Sequence, residues 1–225
     1  QFLVKKAQRA ARIKLYKMMY GIDTSGSDSD HDKDFQSVLD ALTHDATYGH
    51  LSRATTVTNK WWQGASIADS FADQSTAYTP SINTFRRSVA AVSLYADGPQ
   101  DLLCVVGDSI FLELQSQVEA RHIYSRDGSL LAKFGFRTLM LDGVEVVADP
   151  YLRNSILTNS QKYFFIYNIP DWELRLHPRR AFNFTGFTWQ GDKAGGYDEW
   201  LARIMLAGNL INWKPSSSIM LLNCT

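Results

Sequence analysis

Apolar residues recur at every third or fourth position near the start of the chain. Val4, Ala7, Ala11, Leu15 and Met18 form one stripe, which predicts a helix over residues 2–19 with Gly21 as its stop. Residues 22–34, IDTSGSDSDHDKD, are too polar to pack and read as a loop; a short helix is predicted over 35–42. Residues 43–78 show little periodicity and read as a long excursion. Thr79-Pro80-Ser81 opens a second predicted helix, with proline in its first turn and Ile82, Phe85, Val89 and Val92 on its buried face. Gly98-Pro99 ends that unit. A third predicted helix, over 109–121, sets Ile110, Phe111, Leu114 and Val118 on one side.

The later pattern is strand-like. Residues 101–106 (DLLCVV) are a short apolar run, read as a buried strand. Residues 137–148 read as two strands around Asp142-Gly143, a dipeptide that favours tight hairpin turns. KYFFIYN (162–168) and WELRLH (172–177) are further strands, split by Ile169-Pro170. In the second, Trp172, Leu174 and Leu176 alternate with polar residues, which predicts a half-buried strand. Strand-like runs at 200–213 and 219–222 close the chain. Helices first and strands later predict an α+β fold, not a repeated βαβ array.

The 225 residues are 45% hydrophobic and 20% charged, a globular composition with room for one large or two small domains. No apolar run reaches membrane-spanning length. Cys104 and Cys224 are distant in sequence, which fits reduced thiols better than a disulfide framework. Net charge is zero but unevenly spread. Residues 1–20 carry Lys5, Lys6, Arg9, Arg12, Lys14 and Lys17 without an acid, whereas 23–45 carry seven aspartates against one lysine. Neutrality argues against a dedicated nucleic-acid binder, but a local basic helix can still meet a polyanion.

Catalytic and metal-binding patterns are weak. Gly107-Asp108-Ser109-Ile110 resembles the nucleophile block of GDS-type esterases, which need a histidine base within reach. The histidines after Ser109 are His122 and His177, and neither has aspartate three residues earlier. Asp108 or Ser109 as a helix cap is the simpler reading. Asp28, Asp30, Asp32 and Asp34 alternate, but Lys33 and Leu39, or Phe35 and Ala41, stand where a calcium loop requires Gly and Glu. No cofactor and no metal site is expected. Trp61-Trp62, in a polar stretch, fits either a small satellite core or an anchor for a partner surface.

The order of short motifs resembles the major capsid protein family of tailed bacteriophages. The motifs are Phe85-Arg86-Arg87, Asp101-Leu102-Leu103, Phe111, Gly135-Phe136, Leu139, Asp142-Gly143, Val146 and Asp149-Pro150. Leu174-Arg175-Leu176-His177-Pro178, Arg179 and Phe182 follow, then Ala202-Arg203-Ile204 and Ala207-Gly208-Asn209-Leu210. Upstream, Leu15-Tyr16, Tyr20-Gly21, Tyr48-Gly49 and Trp61-Trp62-Gln63-Gly64 echo other blocks of the family. The middle block, His50 to Thr55, keeps Arg53 and a hydroxyl residue.

The resemblance implies the shell fold shared with encapsulins, with a peripheral domain carrying a spine helix and a strand-rich axial domain. Residues 1–100 would hold the spine helix, polar loop and connecting region. Residues 101–225 would be mostly axial, with strands returning to the peripheral domain. The family's N-terminal arm and extended loop would precede Gln1, in keeping with the lack of an initiator methionine. The implied role is a non-enzymatic subunit, made in the host cytoplasm, that assembles into hexamers and pentamers of an icosahedral virion around double-stranded DNA. Implied partners are copies of itself, packaged DNA, and scaffolding, portal or decoration proteins, with no membrane. The alternatives are an esterase using Ser109 and an encapsulin-like cargo shell. Trp61, Trp62 and Arg53 are candidate inter-subunit contacts; Lys5, Lys6, Arg9 and Arg12 are candidate DNA-facing residues.

Overall fold

A computed structural model describes residues 2–20, 36–43, 47–53, 60–65, 78–120, 138–152, 163–189 and 200–221. The helices are α1 (Phe2–Tyr20), α2 (Val38–Leu42), α3 (Ile82–Ser93) and α4 (Asp108–Ala120). The strands are β1 (Thr47–Tyr48), β2 (Leu51–Ser52), β3 (Leu102–Val106), β4 (Thr138–Leu141), β5 (Val144–Ala148), β6 (Phe164–Asn168), β7 (Trp172–Leu176), β8 (Asn183–Phe184), β9 (Thr188–Trp189), β10 (Trp200–Leu201), β11 (Ile204–Met205), β12 (Gly208–Asn212) and β13 (Ile219–Leu221). The α+β expectation holds. Gly21, the Asp28–Asp34 run, His122, Gly135-Phe136 and Cys224 lie outside the described residues.

Five strands form one sheet in the order β13-β6-β3-β5-β4, and only the β3–β5 pair is parallel. The β4–β5 turn is Asp142-Gly143, with φ of 49° and 83°, the two positive angles that a two-residue hairpin needs. Alternate residues point to opposite faces, so the sheet has two cores. On one face Cys104, Val106, Val146, Phe164 and Ile166 pack with Phe85 and Val92 of α3 and Ile110 and Leu114 of α4. On the other, Val105, Phe165 and Met220 pack with Val38 and Leu42 of α2, Leu152 and Leu210, and the last turn of α1 through Met19 and Tyr20. Cys104 is fully buried and in no disulfide.

Helix α3 therefore shares its core with the strands that follow residue 100, and α1 meets that body at its C-terminal end. Ser81 caps α3 by accepting from the Thr84 N–H (3.1 Å), which places Pro80 before the cap and not in the first turn. Gln117 of α4 braces the same end: its amide donates to the Pro80 carbonyl and its oxygen accepts from the Ile82 N–H. Ser88 takes the central buried place on α3 while Val89 stays half-buried, because the Ser88 hydroxyl is satisfied by the Thr84 carbonyl.

The second architectural unit is a long antiparallel ribbon. Trp172 faces Asn212 and Leu176 faces Gly208; farther out, Phe184 faces Ile204 and Trp189 faces Trp200. Residues 177–182 oppose only 206–207, and 185–187 oppose 202–203, so the outgoing strand bulges twice. The first bulge closes on itself, with the Arg180 N–H donating to His177. The period-two pattern of β7 is real, but burial does not follow it. Leu174 is 40% exposed and Leu176 half-buried, because among the described residues no layer fully covers that side of the ribbon.

Candidate assembly surfaces

Around residue 50, short-range packing separates the three aromatic and basic candidates. The Trp62 indole N–H donates to the Tyr48 carbonyl (3.0 Å), and its ring lies 5.9 Å from that of Tyr48. The Tyr48 hydroxyl accepts from the Asn212 N–H (2.7 Å), which ties the β1–β2 hairpin to the ribbon. Arg53 is 0% exposed. One of its guanidinium nitrogens donates to the Ala41 carbonyl (2.6 Å), the other to the Asp40 carbonyl, so it satisfies the last turn of α2. Burial pulls its pKa down to about 10, against the opposing pull of Tyr48 and Asp40, and it remains charged at neutral pH. Arg53 thus lies in the interior of its own chain as a brace. The Trp61 ring lies tilted against that of Trp62 (5.4 Å) yet stays 62% exposed. The satellite core and the exposed anchor are neighbouring residues.

Helix α1 presents two surfaces. Lys5, Lys6, Arg9 and Arg12 are all exposed. At 100° per residue, Lys6 and Arg9 lie opposite Ala11, Leu15 and Met18, while Lys5 and Arg12 share one flank between the two sets. The apolar side faces the ribbon but does not close on it. A groove of about 420 Å³ runs between Gln8, Ala11 and Arg12 of α1 and Phe182, Phe184 and Ile204 of the ribbon. It continues into a second hollow of about 260 Å³ beside Lys14, Leu15, Met18 and Leu206. Nearby, Phe184, Phe187 and Trp189 expose nearly half of their surface or more, and the two phenylalanines meet edge to face at 5.6 Å. At the base of the ribbon, Arg175 lies over the Trp213 ring (5.0 Å) while Glu173 accepts from both. Those two donors hold the Glu173 carboxyl below its usual range.

The esterase reading gains no support. Ser109 is exposed in the first turn of α4, and the Gly107 carbonyl accepts the first helical N–H, from Phe111 (3.0 Å). Gly107 is needed there because a Cβ would stand 2.9 Å from the Leu152 carbonyl oxygen. That requirement accounts for the glycine of Gly-Asp-Ser, and Gly107, not Asp108 or Ser109, holds the cap position of α4. His177 sits on the ribbon, engaged with the Arg179 N–H. Among the described residues no group of His, Cys, Asp or Glu is arranged to hold a metal, and no helix is long and apolar enough to cross a membrane.

No family model matches the sequence, and no curated protein matches it either. The fold does have solved counterparts. A chain of the capsid asymmetric unit of cyanophage A-1(L) is similar over 100% of this chain and 69% of its own length, with a TM-score of 0.63 and 14% identity. A chain of the holo encapsulin complex of Synechococcus elongatus aligns with 65% of this chain, at a TM-score of 0.47 and 12% identity. This chain covers half the length of that encapsulin chain. The fold is the α+β fold of phage major capsid proteins.

Proposed function

We propose that this protein is the structural subunit of an icosahedral phage head. The observation that carries the reading is the likeness of fold, over the whole of this chain, to a cyanophage capsid chain. In this reading α1 and the ribbon form the peripheral unit, and the five-stranded sheet with α3 and α4 forms the axial unit. Copies assemble into hexamers and pentamers, enclose double-stranded DNA and reside in the virion. The surface fits such a task. Large side chains that an isolated protein would bury, Trp61, Phe187 and Trp213 among them, are more than half exposed on separate elements. A shell subunit needs several different contact surfaces, because heterologous contacts close rings only when unlike patches meet.

Lys5, Lys6 and Arg9 would line the interior and neutralise phosphate without reading sequence, so DNA retention falls as salt rises, while Arg12 borders the groove beside the ribbon. Trp61 is the contact residue of its cluster, with Trp62 and Arg53 holding it in place. The test is light scattering on the full-length protein across concentration and salt. The reading predicts discrete five- and six-subunit species that convert to shells. A monomer under every assembly condition overturns it.

A further inference from the structure

We propose that the groove between α1 and the ribbon receives the outer face of α4 from a second copy of this chain. The inference rests on the shell reading and names one of its contacts. Charge is the first observation. Residues 2–20, 172–189 and 200–212 together carry ten Lys and Arg against one acid, Glu173. The whole chain is neutral, so the remainder carries the matching negative charge. Helix α4 carries three acids and no base: Asp108, Glu113 and Glu119.

Shape and polarity give the second observation. Ser109, Leu112, Glu113, Ser116 and Glu119 form one exposed stripe at helical spacing. Leu112 is 52% exposed at its centre, an apolar anchor between carboxylates. The groove has the complementary design, an apolar floor with Arg12 on its border and Lys14 in its continuation. The two surfaces belong to different units of the fold, so the contact is head-to-tail and propagates around a ring. The basic pair Lys6 and Arg9 projects from the opposite side of α1, away from the groove and toward DNA in the shell reading.

The experiment is a charge exchange, read by light scattering on nuclease-treated full-length protein, with thermal melts confirming that each variant folds. Arg12→Glu with Lys14→Glu should lower the associated fraction about tenfold, and so should Glu113→Lys with Glu119→Lys. Combining all four should restore association. Lys6→Glu with Arg9→Glu should associate normally and, in protein purified without nuclease, carry less DNA. The proposal fails if the combined variant is no better than either pair. It also fails if the groove pair loses only DNA retention, which would make the groove a polyanion site. Parent protein that never associates would instead overturn the shell reading itself.

Discussion

The strands of the five-stranded sheet are almost wholly apolar and those of the ribbon mix apolar with polar residues, and only the sheet covers its own apolar side chains. In the sheet, β3, β5 and β6 are flanked by strands on both edges and by helices on both faces, and Cys104, Val106, Val146 and Ile166 are all 0% exposed. In the ribbon, Leu174, Phe182, Phe184, Phe187 and Trp189 are each at least 40% exposed. The ribbon also holds most of its charge in one sign. Burial thus concentrates in the sheet, and the ribbon with α1 leaves apolar and basic surface exposed. The two regions join at an aromatic stripe along β6. Tyr163, Phe165 and Tyr167 stack in sequence, Trp172 closes one end and Tyr20 of α1 lies 5.9 Å from Phe165.

The largest expected effect is at that junction. Phe165→Ala should destabilise the folded chain by about 3–5 kcal/mol in urea titration. A loss below ~1 kcal/mol would mean that the sheet does not depend on its second core. Arg53→Ala should cost about 3 kcal/mol by the same assay, since two carbonyls of α2 lose a charged donor in a buried place. If instead Arg53→Ala left stability unchanged and abolished association, Arg53 would belong with the contact surfaces after all.

Tyr20→Phe tests the joint more finely. It removes the hydrogen bond to Asp149 (3.0 Å) and should cost about 1 kcal/mol. Burial, then the Asp149 charge, raises the Tyr20 phenol well above its ordinary value, and burial does the same for Tyr167. The folded state therefore holds protons that the unfolded state releases above about pH 10. Stability is complete below that pH and falls as pH rises above it. Tyr20→Phe should flatten this alkaline decline; an unchanged slope would assign it to other groups. Leu174→Ser, on the ribbon, should move stability by no more than about 0.5 kcal/mol while weakening association. The smallest effect belongs to Arg86→Gln, which breaks an exposed ion pair with Asp142 (2.7 Å) and should leave the melting temperature unchanged.

Elements with a local cause were legible in the sequence. The spacing of Ile110, Phe111, Leu114 and Val118 gave α4 within a residue at each end, and Asp142-Gly143 gave its turn, since both depend on neighbours along the chain. Burial was legible only where the chain supplies the covering layer. The alternation in β7 predicted a half-buried strand, and the strand formed without that cover. Pro80 was misplaced by two residues because the Ser81 hydroxyl captures the cap. Arg53 gave no sign of its internal role, because its partners are backbone carbonyls, which every residue type possesses. The open groove beside α1 had a partial signal in its apolar stripe. Its other wall comes from Phe182, Phe184, Ile204 and Leu206, too distant in sequence for any local pattern to connect.

The most direct test is electron microscopy of the full-length protein after it has been driven to assemble. The account predicts closed shells with five-fold and six-fold clusters, α1 and the ribbon in contact with a neighbouring copy, and the five-stranded sheet unchanged from the single chain. Particles that never form, or shells in which the ribbon and α1 touch no other subunit, would contradict it.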